Sequence, residues 1–299
     1  MAQSLPDAYR FDPADPRSPS QEQWDRMPVD ERARVVATLP AEVPWDLQPP
    51  EGDPHWDAKA KTRTTLDDFF GRMGRRIYVS SELGVFYPNE PRFSPDILAV
   101  LDVEPRPRTR WTVVDEGKGL DLVIEVYFAG DKAKDYEVNV ARYARLGIAE
   151  YFIFDRNQLS LRGYRLPAAS EGRGTKPRTY QPILPQGGLY ASQVLGLELR
   201  VEGERLRFYA GTAAVLDASE RIEKLALTLD DVVARKEDAE RRANAEAERA
   251  NAEAERANAE AERANAEAEQ KLAEAARADA AEQKLAEALA EIARLKQPH

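Results

Sequence analysis

The chain has 299 residues, a net charge of −10 and no cysteine, and its two histidines are His55 and His299. These counts exclude disulfides, thiolate nucleophiles and iron–sulfur ligation, and they leave little from which to build a Ser-His-Asp triad or a histidine metal site. Catalysis must therefore use carboxylates, Lys, Tyr or a hard metal ion. No apolar run reaches the roughly 18 residues that a membrane span needs, so we expect a cytoplasmic protein without a membrane partner.

A Pro-rich N-terminal arm is predicted for residues 1–56. Prolines recur at 12–20 and 43–54, in compositions that are typical of loops. Between these loops, residues 28–39 predict a short docking helix that has Pro28 in its first turn. Its apolar face is formed by Val35, Val36 and Leu39.

A central domain is predicted for residues 57–210, and it is mildly basic, with 23 basic and 20 acidic side chains over 61–210. Residues 57–72 predict a helix with Leu66, Phe69, Phe70 and Met73 on one face. Residues 133–146 predict a second helix that ends at Gly147. Strands are predicted at 76–80, 84–87, 96–103, 120–128, 150–155, 159–166, 180–184, 197–201 and 205–209.

The order of these elements indicates an α/β (α+β) fold. Residues 96–103 and 120–128 are nearly continuous apolar runs, which is typical of central strands covered on both faces. The strand, helix and strand of 120–155 form a crossover unit, so part of the sheet must be parallel. The sequence therefore predicts a mixed central sheet.

Residues 211–299 predict a long C-terminal helix rich in alanine. The heptad Arg-Ala-Asn-Ala-Glu-Ala-Glu occurs four times over 242–269, and alanines spaced alternately by four and three residues form one seam. Larger residues follow at Leu272, Leu285, Leu289, Ile292 and Leu295. The helix either forms a coiled coil with a second copy, which would make a homo-oligomer, or remains a single solvated spacer.

Two acidic residues occupy positions that do not favour stability. Asp96 opens the apolar run of 96–103, and Glu125 lies between Ile124 and Val126 in the middle of the run of 120–128. Burying a carboxylate costs several kcal/mol unless it is compensated. The compensation is either a Lys or Arg from a neighbouring helix or a divalent cation shared with Asp96, for which Mg²⁺ or Mn²⁺ suits hard oxygen ligands.

Two further acids are weaker candidates for the same site. Glu82 lies in a segment before Asp96 and would be a third acidic ligand or an exposed loop residue. Asp121 shares the strand parity of Glu125 and would lie near the site or begin the strand at the surface. Tyr136, Tyr143 and Tyr151 are more typical of core aromatics than of surfaces that stack on bases.

The set of motifs resembles the Uma2 family of restriction-endonuclease-like proteins, in the PD-(D/E)xK nuclease superfamily. The resemblance rests on Pro95-Asp96, the strand bearing Glu125, Lys134-Asp135, and the segments YARLGI at 143–148 and EYFIFD at 150–155. It covers roughly residues 57–210. It implies a nuclease-like core in which Asp96 and Glu125 hold a metal ion that activates water against a phosphodiester.

The chain departs from this family where a lysine is expected. The superfamily signature has Lys two residues after the acidic strand residue, which is Tyr127 here, and the family's alternative position on the following helix is Asn139. Lys132 and Lys134 lie nearby, and we assign to Lys134 the stabilisation of developing charge. Both are otherwise ordinary solvated side chains at a helix start.

These observations favour a Mg²⁺-dependent endonuclease acting on DNA, with Asp96, Glu125 and Lys134 as the site. The alternative is a catalytically silent nuclease fold that serves as a binding module, with the coiled coil as an interaction scaffold. Two groups of cations could follow a phosphate backbone if they converge on Asp96. They are Arg72, Arg75 and Arg76, and Arg106, Arg108 and Arg110.

Overall fold

The computed structural model describes residues 9–44, 52–128, 132–167 and 178–295, with side chains described up to residue 291. Most of the second Pro-rich loop, 43–54, lies outside these residues, as do the side chains of Ile292 and Leu295. The chain divides into two compact units, Met1–Ile222 and Glu223–His299. Within the described residues, no helix has a segment long and apolar enough to span a bilayer.

The described residues form six α-helices and one π-helical turn. The π-helical turn, Lys134–Val138, runs directly into the fifth helix. The α-helices are α1 Gln21–Arg26, α2 Val29–Thr38, α3 Asp53–Met73, α4 Val113–Glu116, α5 Asn139–Leu146 and α6 Ala218–Leu295.

Twelve strands occur in the described residues. They are β1 Ile77–Ser80, β2 Val85–Phe86, β3 Ile97–Leu101, β4 Trp111–Thr112, β5 Leu122–Tyr127, β6 Glu150–Asp155, β7 Ser160–Arg165, β8 Gln181–Pro182, β9 Tyr190–Ser192, β10 Leu197–Glu202, β11 Arg205–Ala210 and β12 Ala213–Ala214.

The main sheet has six strands in the order β1-β3-β5-β6-β7-β8. β5 and β6 are parallel, and the π-helical turn and α5 connect them. The other pairs in this sheet are antiparallel. The predicted mixed central sheet with its crossover unit is therefore confirmed, and so is the long C-terminal helix.

The two faces of the main sheet bury different clusters. One face packs against α3 and the antiparallel sheet of β9 to β12, and it includes Leu66, Phe70, Ile124 and Phe208. The other face packs against α5. On that second face, Tyr143 of α5 lies among Val123, Tyr151 and Ile153, which confirms the core role predicted for these two tyrosines.

The N-terminal arm contains more structure than its prolines indicate. Helix α1 was not predicted from the sequence, and it is stabilised by a capping box in which Ser20 and Gln23 bond each other's backbone N–H groups. Trp24 of α1 and Val35 of α2 are buried together with Val114 of the central domain. The predicted helix of 28–39 is present as α2, where Pro28 is the cap residue that precedes the first turn.

Two helices differ from their predicted form. α3 begins at Asp53, four residues before the predicted start, and Met73 at its end is 67% exposed, so its assignment to the apolar face is wrong. The predicted helix of 133–146 opens with a π-helical turn. Such turns occur often at functional sites, because they rotate the side chains beyond them.

Candidate active site

Asp96 and Glu125 lie side by side where β3 begins, with Asp96 immediately before the first residue of β3 and Glu125 within β5. In the antiparallel pairing of β3 and β5, Ile97 lies opposite Ile124, and the next pair in this register is Asp96 and Glu125. The backbone N–H of Asp96 donates to Oε2 of Glu125 over 3.1 Å. The N–H of Val126 donates to Oδ2 of Asp96 over 2.7 Å. The two acids that the sequence singles out are thus joined through the backbone of both strands.

Glu125 is enclosed and has a surplus of negative charge around it. Its side chain is 6% exposed, and the hydroxyl of Tyr143 donates to its Oε1 over 2.7 Å. Burial raises the pKa of Glu125 well above its ordinary value, and the negative charges of Asp96 and Asp135 raise it further. Among the described residues, no Lys or Arg forms an ion pair with Glu125. The described residues therefore do not give Glu125 a Lys or Arg partner, which was one of the two predicted forms of compensation.

Asp96 has cationic neighbours, and they come from α3. Nζ of Lys59 lies 3.7 Å from Oδ1 of Asp96, and Nε2 of His55 lies 3.7 Å from Oδ2. Burial alone would raise the pKa of Asp96, but His55, Lys59 and the N–H of Val126 together lower it. Lys59 also donates to Oε1 of Glu82. Glu82 is therefore linked to the site through Lys59.

Lys59 and His55 were not predicted as site residues from the sequence. They share one face of α3 with Leu66 and Phe70, at helical spacings that the sequence already displays. The prediction started this helix at residue 57, which left His55 in the Pro-rich arm. It also took the apolar residues alone as the buried face, although Lys59 lies seven residues, or two helical turns, before Leu66 on that face.

The lysines that the sequence places near the site have other surroundings. Lys134 is exposed on the π-helical turn, and its side chain forms no hydrogen bond or ion pair with the described residues. Nζ of Lys132 lies 3.2 Å from Oδ2 of Asp155 and 4.6 Å from the ring centre of Tyr136. Neither lysine contacts Asp96 or Glu125 among the described residues, so the role of Lys134 stays a prediction.

The two positions where the family signature has lysine hold side chains of a different kind. Tyr127 packs edge-on against Tyr136, with ring centres 6.1 Å apart. Asn139 is buried and donates to Oδ1 of Asp135 over 3.1 Å. Neither position supplies a positive charge.

The remaining candidates bind elsewhere. Asp121 accepts from the N–H of Leu101 over 2.7 Å and pairs with Lys118 at 3.1 Å, so it has a structural role at the start of β5. Arg75 donates to the carbonyls of Val194 and Leu195. Arg108 pairs with Glu116 at 2.6 Å, and Arg110 donates to the carbonyl of Val36. None of these contacts involves Asp96 or Glu125.

The donor chemistry of the pair fits a hard divalent cation. Within the described ranges, no group of three or more acidic or histidine side chains is placed to hold a metal. Mg²⁺ is usually held by one or two carboxylates, and water and substrate phosphates complete its octahedron. Asp96 and Glu125 supply two carboxylates. Burial first, and then the charges of Asp96 and Asp135, raise the pKa of Glu125, and a divalent cation at the pair would favour its ionised form.

The similarity to known proteins agrees with this geometry. The family model Uma2, described as "putative restriction endonuclease", matches residues 22–202, which is more than half of the chain. The chain belongs to the Uma2 family. The resemblance drawn from the motifs is therefore confirmed, and the family gives the chain a nuclease-like function. The Uma2 match begins inside the N-terminal arm and ends with β10, so the whole of α6 lies outside it.

One solved structure that is similar to part of the chain is a putative nuclease belonging to DUF820 from Anabaena variabilis. It has 14% sequence identity to the chain and a TM-score of 0.38, and the alignment covers 51% of this chain and 79% of that one. A comparison with curated proteins finds no match.

Proposed function

We propose that this Uma2 protein is a metal-dependent endonuclease that hydrolyses phosphodiester bonds of DNA. The observation that carries the proposal is the contact between Asp96 and Glu125, two acids on adjacent strands with like charges in a buried setting. Such an arrangement costs stability, and a fold retains it where the charges have a task. Membership in a nuclease-like family favours phosphodiester hydrolysis as that task.

In this proposal Asp96 and Glu125 bind Mg²⁺ or Mn²⁺. The ion would supply Lewis-acid stabilisation of the phosphate and a more acidic water. The Tyr143 hydroxyl and the N–H groups of Asp96 and Val126 hold the two carboxylates in fixed orientations before DNA arrives. The water oxygen bonds to phosphorus as the bond from phosphorus to the leaving oxygen breaks, the water gives up a proton to solvent, and the leaving oxygen takes one up from solvent. The sequence predicts Lys134 as the stabiliser of developing charge, but its exposed side chain does not contact Asp96 or Glu125 in the described residues.

The rival is a silent nuclease fold that binds a partner without catalysis. The observation in its favour is the loss of the signature lysine, because Tyr127 and Asn139 hold both expected positions and are engaged in packing and hydrogen bonding. The exposed position of Lys134 adds to it. A nuclease fold can serve either role, because function resides in the site.

A cleavage assay separates the two functions. Purified protein with Mn²⁺ or Mg²⁺ is expected to nick or cut plasmid DNA, and a chelator is expected to stop it. Activity should fall as salt rises, because counterions compete for the phosphate contacts of a domain with little net charge. Absence of cleavage on double-stranded, single-stranded and branched DNA with either metal would favour the silent module.

Controls must show that the activity belongs to this chain. Asp96→Ala and Glu125→Ala are each expected to remove cleavage while circular dichroism shows a retained fold. Asp121→Ala is the matched control, because Asp121 lies on the same strand side as Glu125 but bonds Leu101 and Lys118. Cleavage that persists in the Glu125→Ala protein would identify a contaminant.

We also propose that α6 joins two copies of the chain as a coiled coil. One seam of four and three spacing keeps the same phase from Leu229 and Val233 through the alanines of 243–268 to Leu285 and Leu289. Four charged residues interrupt its apolar character, and they are Lys236, Glu240, Lys271 and Glu282. The four larger apolar residues are exposed on the described helix. Alanine at most seam positions buries little area, so the ends of the seam supply most of the affinity.

The seam can be tested with one double variant. Light scattering on the intact protein is expected to give a dimer or higher oligomer, and Leu285→Glu with Leu289→Glu is expected to reduce it to monomer. Leu272→Glu is the matched control, because Leu272 is 71% exposed and lies beside the seam. A monomeric wild-type protein would leave α6 as a solvated spacer.

A further inference from the structure

Lys59 is a buried lysine in the middle of an acidic cluster. Its side chain is 3% exposed, although lysine is almost never fully buried unless it is paired. Its ammonium group donates to Glu82 and lies 3.7 Å from Oδ1 of Asp96. The face of α3 that carries Lys59 otherwise packs Leu66 and Phe70 into the core. Helix α3 therefore places one positive charge beside Asp96, on a helix face that is otherwise apolar.

The neighbouring charges make this position unusual. Asp96 and Asp135 both act electrostatically on Glu125, and Glu82 adds a fourth carboxylate through Lys59. Among the lysines of the described ranges, Lys59 is the one whose ammonium lies within 4 Å of Asp96 or Glu125. Lys132 pairs with Asp155, and Lys134 is exposed. Lys59 bridges Asp96 and Glu82, so its charge lies beside the pair of Asp96 and Glu125 while Glu125 keeps no cationic partner of its own among the described residues.

We propose that Lys59 is the positioning cation of this site, supplied by α3 in place of the lysine that the family signature puts two residues after Glu125. The inference rests on the proposed nuclease function. Lys59 holds Oδ1 of Asp96 in place and offsets the negative charge that accumulates on the phosphate as the water attacks. Because Lys59 on α3 supplies the positive charge, Tyr127 can occupy the signature position on β5 without the site losing its cation.

The absence of cysteine in the chain permits a direct chemical test. In the Lys59→Cys protein the only thiol is at position 59. Alkylation with bromoethylamine in denaturant, followed by refolding, restores an amine on a side chain as long as lysine. Rates of plasmid cleavage are measured under single turnover at saturating DNA, and DNA affinity is measured separately by fluorescence anisotropy in chelator.

The unmodified Lys59→Cys protein is expected to lose about 10²- to 10³-fold in cleavage rate, the usual cost of removing one electrostatic stabiliser. Its DNA affinity should change less than about twofold, because a buried ammonium contributes little to long-range attraction. Aminoethylation is expected to restore the rate. Lys61→Cys, treated in the same way, is the matched control, because Lys61 lies on the same helix with its side chain 46% exposed. Its rate should not change at either stage.

Loss of the buried charge could also unfold the protein, so a second variant and a second readout are included. Lys59→Arg keeps a positive charge, and its melting temperature and cleavage rate are measured beside those of Lys59→Cys. Binding of Mn²⁺ is followed by the resonance signal of the free ion. Wild-type protein is expected to bind Mn²⁺, and Lys59→Cys is expected to bind it at least as tightly, because a positive neighbour has been removed.

Three outcomes would overturn the proposal, and they differ from one another. Equal cleavage by wild-type and Lys59→Cys proteins would reject Lys59 but leave the nuclease function intact. Binding of Mn²⁺ by Lys59→Cys alone would mean that Lys59 occupies the place of the metal in a silent site. Binding of Mn²⁺ by both proteins without cleavage by either would reject the nuclease function itself, and the role of Lys59 with it.

Discussion

Adjacent strands β5 and β6 both bury carboxylates, yet they surround them in opposite ways. Glu150 at the start of β6 accepts hydrogen bonds from Arg165, the hydroxyl of Ser192 and the backbone N–H of Gln193. Glu125 in β5 accepts from one hydroxyl and one N–H, and its charged neighbours are acids. The same sheet therefore satisfies one buried acid fully and leaves Glu125 short of positive charge.

Asp155 at the other end of β6 supports the same distinction. It accepts from the N–H of Gln158, the hydroxyl of Tyr136 and the ammonium of Lys132. Burial alone would raise the pKa of Asp155, but these donors lower it, whereas the pKa of Glu125 is raised. Glu150 and Asp155 are held by structural partners, whereas Glu125 lacks a cationic partner among the described residues and marks the candidate site.

The largest effect on stability is expected from removing Glu150, the buried acid whose hydrogen-bond partners are all present. Glu150→Ala would leave Arg165, Ser192 and Gln193 without their shared acceptor. The free energy of unfolding in urea should fall by about 3–5 kcal/mol, as for other broken buried ion pairs. A loss below about 1 kcal/mol would show that Glu150 is not the structural anchor that its bonds indicate.

A divalent cation bound by Asp96 and Glu125 should stabilise the folded protein. At 100 times its dissociation constant, Mn²⁺ is expected to add about 2.7 kcal/mol to the free energy of unfolding, which calorimetry would record as a rise in melting temperature. Glu125→Gln should abolish the rise. Lys118→Met is a matched control that should retain it, because Lys118 pairs with Asp121 at the far end of β5. No response in the wild-type protein would contradict the metal assignment.

Acid should weaken the contribution of Asp155. Its folded pKa lies below its ordinary value of 3.8, so its stabilising contribution is complete above that value and is lost as pH falls through the folded pKa. Wild-type protein should exceed Asp155→Asn by about 1–3 kcal/mol at neutral pH, and the difference should shrink below about pH 4. Urea unfolding across that range would measure it. A difference that stays constant with pH would show that Asp155 is not favoured as its anion.

Glu125→Gln should produce the smallest change and the opposite dependence on pH. A raised folded pKa means that stability is complete below the ordinary value of 4.5 and is lost as pH rises through the folded pKa. In chelator, the wild-type protein should therefore lose stability relative to Glu125→Gln as pH rises above 4.5, where the unfolded chain ionises this carboxyl more readily than the folded chain does. A relative gain as pH rises would place a cation beside Glu125.

The acids of the site could be predicted from sequence, and their partners could not. Asp96 and Glu125 are conspicuous because they interrupt apolar runs that must be buried, and local sequence alone shows this. Lys59 and Tyr143 reach the pair from opposite faces of the sheet, and only the three-dimensional packing of α3 and α5 brings them there. Their separation from Glu125 along the chain carries no local signal.

The elements of the fold also differ in how well the sequence predicts them. The bounds of β6 were predicted to the residue and those of β3 and β5 to within two residues, because long buried apolar runs are typical of central strands. The two-residue strands β2 and β4 pair through long-range contacts, and β4 was missed. The π-helical turn was also missed, because its side-chain pattern over Lys134–Val138 is too short to differ from an α-helical one.

The four identical heptads of α6 have a consequence for how this protein can change over generations. Adding or removing one copy lengthens or shortens the helix by about 10.5 Å and rotates the rest of the helix by only about 20°. The seam on either side stays continuous, whereas an insertion of three or four residues would break its alternation. The length of α6 can therefore change by whole repeats without disturbing the fold. Related chains should differ in repeat number sooner than in the sequence of the repeat.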